Sequence, residues 1–243
     1  QYQRAYSWGE KQLEAFVDDL RQQMSSQNAK RKDAKKPYFL GTLLLHREND
    51  THSNIVDGQQ RLTTTVIFIA TALQVLRDNN RSYEHDATMR ELFIYHSEHG
   101  QKFCTVDKDN PYFSSAILGL SSAGSPAESS SSHRLQDAKA YFLKMVAAEE
   151  WVGMIEVLRN AQILAYTVDD LSTATKIFEF QNDRGKPLSN LEVLKSFLMH
   201  NVHLHTLGKS EGELKNLQTQ FEFMFRDIES LEVCHRAPEE DQI

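Results

Sequence analysis

Residues 53–73 read SNIVDGQQRLTTTVIFIATAL, and this stretch decides the fold. Asn54–Val56 ends in two β-branched apolar residues and predicts a short strand, whereas Leu62–Leu76 is apolar nearly all round and predicts a buried central helix. Five polar residues, Asp57 to Arg61, separate the two; we call them the DGQQR motif. Its glycine lets the backbone turn tightly, or lets a ligand approach the chain closely.

The segments on either side predict an α+β chain. Tyr38–Leu45 (YFLGTLLL) is too short and too apolar for a surface helix, so it is predicted as a buried strand that forms a hairpin with Asn54–Val56. Ile163–Val168 (ILAYTV) alternates and is the one strand predicted in the second half. Apolar residues at helical spacing predict the helices, which are expected around Leu13–Met24, Leu135–Met145, Met154–Leu158, Ser172–Asn182 and Pro187–His200.

A serine-rich segment predicts the domain organisation. Residues 121–132 (SSAGSPAESSSS) are of low complexity and are expected to be a flexible linker. Residues 1–120 would then form a core that carries a small mixed sheet and the DGQQR helix. Residues 133–243 would form a mainly helical lobe that returns the strand 163–168 to that core. Apolar residues from Leu214 to Leu231 follow a heptad pattern, and we favour a core helix over a coiled coil.

Composition excludes several classes of protein. The chain has 243 residues, 40% of them hydrophobic, which suffices for a sizeable core. Its net charge of −7 argues against a nonspecific DNA coat, although the basic run at 30–36 leaves a local DNA site open. No apolar run is long enough to cross a membrane. The chain lacks an initiator Met, and we expect a fragment of a longer cytoplasmic protein.

Cysteines and histidines give weak signals. Cys104 and Cys234 lie far apart, which suits a reducing compartment and argues against a zinc ribbon or a disulfide scaffold. Cys104 is predicted to be a buried thiol rather than a nucleophile. The run 200–205 (HNVHLH) lacks the spacing of a closed zinc site. His96–His99 is predicted to be a solvated helix end.

The DGQQR motif suits phosphate chemistry. The first amides of a helix lack intrahelical partners, and its dipole is positive there, so the helix that follows Gly58 offers an anion site. Arg61 adds a bidentate fork, Asp57 could hold a cation, and a glutamine could orient a water. The alternative is structural: Asp57 caps the helix, and Arg61 pairs with Asp57 across the turn.

Two further polar segments strengthen the functional interpretation. The N-terminal motif, residues 1–8 (QYQRAYSW), places an arginine among three aromatic residues. The NDRGKPL motif, residues 182–188, lies in a tight turn between two predicted helices, with Gly185 as the C-cap. Each has a local explanation, as an aromatic staple or a capped turn. A phosphate site needs donors from several elements, so we expect Arg4, Arg61 and Arg184 to border one cleft.

Four segments carry a resemblance to a known family. QYQRAYSW, FLGTLLL, IVDGQQRLTT and FEFQNDRGKPLSNLEVLK resemble, in this order, the N-terminal domain of GmrSD-type restriction systems. This DGQQR-motif domain is related to the ParB/sulfiredoxin-like fold, which the resemblance therefore implies for the core. It also implies an NTPase-like module of anti-phage defence. Such a module would bind Mg²⁺ together with GTP or another NTP, with a preference for GTP. Such modules license an HNH-type nuclease domain or subunit that acts on modified phage DNA.

The resemblance implies roles for the matching positions. The implied catalytic residues are Asp57, Gln59, Gln60 and Arg61. The implied phosphate-binding residues are Gln3, Arg4, Gly58, Arg61, Asn182, Arg184, Gly185 and Lys186. Asp57 would hold Mg²⁺; Glu179 could join it or equally pair with a neighbouring lysine.

Three functions remain open from the sequence. The first is a nucleotide-binding and hydrolysing regulatory domain, which the acidic charge favours over the second, a modified-DNA reader without hydrolysis. The third is a helical interaction scaffold. No H-N-H motif occurs before Ile243, so nuclease activity is expected in a missing domain or a partner. A homo-oligomer is a further expected assembly.

Overall fold

The computed structural model describes residues 5–27, 37–122 and 124–170, together with the isolated positions Thr173, Ile177, Thr219 and Gln220. The helices are α1 (Glu10–Gln27), α2 (Gln59–Asp78), α3 (Asp86–Phe93), α4 (Asn110–Tyr112), α5 (Ser130–Met145) and α6 (Glu150–Arg159). Helix α4 continues as a π-helix at Phe113–Ile117. The strands are β1 (Phe39–Arg47), β2 (Ser53–Asp57), β3 (Tyr95–His96), β4 (Gly100–Gln101) and β5 (Gln162–Val168).

The chain has the predicted α+β character. Strands β1, β2 and β5 form one small sheet in the order β2-β1-β5, which confirms all three predicted strands. The N–H of Gln162 donates to the carbonyl of Tyr38 at 2.7 Å, so β5 begins beside the residue that precedes β1. The ParB/sulfiredoxin-like identity of this core stays a prediction.

Helix α2 is the centre of the core, as its all-round apolar sequence predicts. Every residue from Thr63 to Leu73 is buried. The helix packs against α1, α5 and α6 through aromatic rings: the Phe68 centroid lies 5.1 Å from Phe142, 5.4 Å from Trp151 and 5.8 Å from Phe16. Offset and edge-on contacts of this kind stabilise a core beyond the area that they bury.

Ser7 and Glu10 have the spacing that predicts a capping box, but the start of α1 differs from this prediction. The helix begins at Glu10, and Gln12 reaches back to accept from the N–H of Gly9 at 3.1 Å. The Ser7 N–H instead donates to the side chain of Gln60 at 2.8 Å. The Ser7 N–H, which Glu10 would accept in a capping box, is therefore satisfied by a residue 53 positions away in the sequence.

The serine-rich segment ends inside a helix. Ser129 caps α5 through a reciprocal capping box with Ser132, and Ser131 and Ser132 are buried in its first turn. The carboxylate of Asp109, 1% exposed, accepts from the hydroxyls of Ser129 and Ser131. Two serines of the predicted linker thus satisfy a buried carboxylate, which a composition argument does not foresee.

The chain divides into two compact units. One comprises residues 1–43 and 47–165; the other comprises residues 44–46 and 166–243. The DGQQR motif and the described side chains that surround it belong to the first unit. In the described part of the chain, no helix has the length and apolarity needed to span a bilayer.

Candidate functional site at the DGQQR motif

Gly58 makes the turn between β2 and α2, and only glycine fits there. It is the N-cap of α2, with φ +84° in the left-handed region. A Cβ at this position would lie 2.5 Å from Cδ2 of Leu43 and 2.7 Å from the carbonyl oxygen of Thr42. The glycine therefore serves both the turn and the close approach to β1. It also leaves the helix without a side-chain cap.

Asp57 does not play the structural role that the sequence left open. The N-cap is Gly58, so Asp57 does not cap α2. In the described part of the chain, the carboxylate makes neither a hydrogen bond nor an ion pair, with Arg61 or any other residue. A half-buried carboxylate beside the positive end of a helix is thus available to a cation.

The two glutamines hold the turn and the N-terminal segment. Nε2 of Gln59 donates to the carbonyl of Ile55 at 2.9 Å, which closes the turn back onto β2. The amide of Gln60 bridges the N-terminal motif: its Oε1 accepts from the N–H of Ser7, and its Nε2 donates to the carbonyl of Ala5 at 3.2 Å. Gln60 is therefore a positioning residue in this geometry.

Tyr6 adds a second tie between the same two segments. Its hydroxyl lies 2.8 Å from Oγ1 of Thr64 on α2, and the ring is 4% exposed. Burial raises the pKa of Tyr6 to about 12, so the phenol stays neutral at physiological pH. The structure thus brings residues 5–7 of the N-terminal motif against the DGQQR helix.

Arg61 lies across the first strand. Its Nη1 donates to the carbonyl of Leu40 at 2.9 Å. The guanidinium covers Gly41, where φ is +118° and a Cβ would overlap Nη1. Among the described residues, the Nε and Nη2 groups of Arg61 make no hydrogen bond, and the side chain is exposed. One donor group thus anchors the guanidinium while the others face solvent and can receive an anion.

A carboxylate and a phenol share the surroundings of Arg61. Burial raises the pKa of Asp19 on α1, and the positive charge of Arg61 partly offsets this rise. Burial also raises the pKa of Tyr38 to about 12, with Asp19 adding to the rise and Arg61 opposing it. The charge of Arg61 therefore interacts with the carboxyl group of Asp19, but Arg61 forms no direct ion pair among the described residues.

A small cavity of about 20 Å³ lies beside the motif, large enough for about one water. The side chains that line it come from three parts of the first unit: Tyr6, Ile55, Gln59, Thr63, Phe103, Cys104, Thr105 and Val106. The hydroxyl of Thr105 is buried and has no partner among the described residues. This geometry suits a water that bridges Thr105 to the polar wall of the cavity.

Cys104 corrects one expectation. The sequence predicts a buried thiol, whereas the residue is exposed. Surrounding protein atoms nevertheless desolvate the sulfur, and together with Asp107 they raise its pKa. A thiol with a raised pKa holds little thiolate at neutral pH, so it is a poor nucleophile.

Several predicted site residues lie outside the described residues. They are Gln3, Arg4, Glu179, Asn182, Arg184, Gly185 and Lys186. Within the described part of the chain, the structure brings together Asp57, Gly58, Gln59, Gln60 and Arg61 with residues 5–7.

Sequence reasoning missed the residues that receive Arg61. Gly41 lies against its guanidinium, and Asp19 and Tyr38 interact with its charge, but the sequence analysis gave none of the three a role in the site. The isolated glycine inside the apolar strand YFLGTLLL was the available signal, because glycine in a strand interior often marks close approach of another group.

The comparison with protein families now identifies the domain. The family model described as "GmrSD restriction endonuclease, N-terminal domain" matches residues 1–199. The chain belongs to this family. The matched range contains the N-terminal, DGQQR and NDRGKPL motifs, so a restriction-associated domain carries the site described above. No curated protein matches the chain.

Proposed function

We propose that this GmrSD N-terminal domain binds a Mg²⁺–nucleoside triphosphate, GTP by preference, at the start of α2 and hydrolyses it. The observation that carries the proposal is Asp57. Its carboxylate stands beside an uncapped helix N-terminus and makes no hydrogen bond or ion pair within the described residues. Asp57 thus fills neither of the structural roles left open by the sequence, and a ligand role remains.

The arrangement calls for a divalent cation. The amide end of α2 attracts phosphate, whereas a carboxylate next to it repels phosphate. A Mg²⁺ ion between Asp57 and the phosphate oxygens removes this conflict, since Mg²⁺ is typically held by one or two carboxylates together with substrate phosphates. Carboxylate and helix terminus together therefore favour a metal–nucleotide complex over a bare anion.

The other residues receive distinct roles in this proposal. Arg61 is anchored through Nη1, and its remaining N–H groups would contact phosphate oxygens. Gln60 positions the N-terminal motif, which would bring Gln3 and Arg4 to the same ligand. Gln59, which also faces the cavity beside Thr105, would help to orient the attacking water. Asn182, Arg184, Gly185 and Lys186 would complete the phosphate site, with Glu179 as a second metal ligand.

The hydrolytic domain would regulate DNA cleavage. In this proposal, nucleotide binding in a cytoplasmic restriction system licenses an HNH nuclease domain or subunit to cut modified DNA. The net charge of −7 supports a regulatory role over direct DNA binding by this domain alone.

The test compares two variants in the full-length protein with GTP and ATP. Asp57→Asn should abolish Mg²⁺-dependent turnover while metal-free nucleotide binding survives, because the variant loses the metal ligand and a repulsive charge. Asp50→Asn, in the exposed turn between β1 and β2, is the matched control. Arg61→Ala should weaken nucleotide binding by about tenfold to a hundredfold, equivalent to about 1.5–3 kcal/mol for one charge-assisted contact. Arg77→Ala, at the opposite end of α2, removes the same charge.

Melting curves accompany the kinetics. Nucleotide at about a hundred times its dissociation constant should stabilise the parent by about 2.7 kcal/mol. An Asp57→Asn protein that hydrolyses GTP at the parental rate would refute the proposal. Binding without hydrolysis, abolished by DNA competitor, would favour the modified-DNA reader instead.

A further inference from the structure

A second cluster of ligand-type side chains lies in the β3–β4 hairpin, apart from the DGQQR motif. The strands pair Tyr95 with Gln101 and His96 with Gly100, so residues 97–99 form the turn and not the predicted helix end. His96, Glu98 and His99 each offer one ligand atom here, and these atoms lie within 4.8 Å of one another.

The two histidine rings are already side by side. Their centroids are 4.8 Å apart, and the ring planes differ by 18°. Glu98 and His99 are exposed and the side chain of His96 is 26% exposed, so small rotamer changes can bring the ligand atoms to coordination distance. The ligands span four consecutive residues, so closing a ring through a metal costs little loop entropy.

The contacts of His96 indicate which of its two ring nitrogens can bind a metal. Nδ1 accepts from the backbone N–H of Glu98 at 3.2 Å, so the proton resides on Nε2. Nε2 lies 3.9 Å from Oε1 of Glu91 at the end of α3. A metal on Nδ1 would replace the long amide contact, and Nε2–H would face a carboxylate, the arrangement that orients most metal-bound histidines.

We propose that His96, Glu98 and His99 form a binding site for a divalent transition metal of the Zn²⁺ class. The donor set is two imidazole nitrogens and one carboxylate, which suits Zn²⁺ and disfavours Mg²⁺ and Ca²⁺. Glu91 supplies a second carboxylate behind His96. Water completes the tetrahedron, as in sites with three protein ligands.

Metal binding would stabilise the short β3–β4 hairpin, which leads to the small cavity lined by Gln59. Two-residue strands pair weakly by themselves. The chain leaves β4 at Gln101, whose side chain donates to the carbonyl of Phe103 at 2.8 Å, and Phe103 lines that cavity. Metal binding at the turn thus stabilises a segment that leads to the wall of the cavity.

The test measures Zn²⁺ binding to the untagged chain by titration calorimetry and thermal melting, with MgCl₂ as the comparison salt. The run His200–His205 is a competing source of imidazoles, so the background carries His200→Gln, His203→Gln and His205→Gln. This background should bind one equivalent of Zn²⁺ and melt at higher temperature with Zn²⁺ but not with Mg²⁺. Asp57→Asn should leave Zn²⁺ binding unchanged, which separates this site from the nucleotide proposal.

Single variants locate the site. His96→Gln and His99→Gln should each lose the bound equivalent, while His52→Gln, in the other hairpin turn, keeps it. Glu91→Gln should retain the stoichiometry and weaken the affinity by about tenfold to a hundredfold, the usual effect of losing an outer carboxylate. All should melt normally without metal, since these side chains lie at the surface. Equal affinity in His96→Gln, His99→Gln and the background, or no Zn²⁺ bound by the background, would overturn the proposal.

Discussion

At the scale of single residues, the DGQQR motif combines groups that are hydrogen-bonded within the fold with groups that are not. The side-chain amide of Gln60 hydrogen-bonds to both Ala5 and Ser7. Asp57, in contrast, makes no hydrogen bond or ion pair in the described part of the chain. Arg61 is intermediate between these two cases, because one of its nitrogens donates to the carbonyl of Leu40 and the others face solvent. The motif residues predicted to be catalytic therefore differ in how far the fold itself occupies their polar groups.

The role of Gln60 predicts a loss of stability. Gln60→Ala removes both hydrogen bonds to the N-terminal segment, and each is worth about 0.5–1.5 kcal/mol. We expect the free energy of unfolding to fall by about 1–3 kcal/mol in urea titrations. Gln136→Ala, on the exposed face of α5, should change it by less than about 0.5 kcal/mol. An unchanged midpoint for Gln60→Ala would contradict the positioning role.

At the scale of elements, the junction of β2 and α2 fixes where the site lies. Its helix starts directly after a left-handed residue and continues for 20 residues through the core. The uncapped end is therefore held at one place by packing along the whole helix. The N-terminus of helix α5, in contrast, is capped by the side chain of Ser129, and Asp109 accepts hydrogen bonds from the hydroxyls of Ser129 and Ser131.

Gly58→Ala tests the junction. The substitution forces an L-residue into the left-handed region, at a cost of about 1–2 kcal/mol, and drives a Cβ against Leu43 and the backbone of Thr42. We expect a lower melting temperature and weaker nucleotide binding together, because the helix end moves. Gly124→Ala is the matched control: φ is unstrained there, and no atom lies within 4 Å of the added Cβ. Equal melting of the two variants would show that the turn tolerates a side chain.

At the scale of the whole first unit, an ion pair joins segments distant in sequence. Arg21 on α1 donates to both oxygens of Glu150 on α6, at 2.8 and 3.1 Å, and also to the carbonyl of Met145 at 2.7 Å. The hydrogen bond from Arg21 is the main cause that lowers the pKa of Glu150 below its ordinary 4.5. The pair thus fastens the N-terminal helix to the last helix of the unit.

This lowered pKa predicts a pH dependence. A depressed carboxyl pKa stabilises the fold above the unfolded pKa, and the stabilisation disappears as the pH falls through the folded value. Glu150→Gln should therefore lower the free energy of unfolding by about 1 kcal/mol at pH 7 and by progressively less below about pH 4. Glu149→Gln, exposed and adjacent, should show no such trend. Urea titrations between pH 3 and 7 measure the difference, and a pH-independent gap would contradict the assignment.

The local pattern of the sequence determined the elements that depend on short-range physics. Alternating or continuous apolar runs placed β1, β2 and β5, and the all-round apolar stretch placed α2, because burial requires those patterns wherever the partners come from. The hairpin β3–β4 and the α4–π-helix segment were not predicted, since their short elements carry no periodic signal. The motifs also carried the family resemblance, which the family match confirmed.

The tertiary structure alone decided how the polar residues are used. A capping box at Ser7 and a cap at Asp57 are sound local predictions, yet Gln60 takes the Ser7 amide and Gly58 takes the cap. Arg61 turns to a strand 21 residues earlier because Gly41 leaves room for its guanidinium. A hydrogen-bonding group bonds to whichever partner folding brings within reach, and distant partners leave no trace in local sequence. The availability of the Asp57 carboxylate, on which the proposed chemistry depends, is therefore a property of the fold.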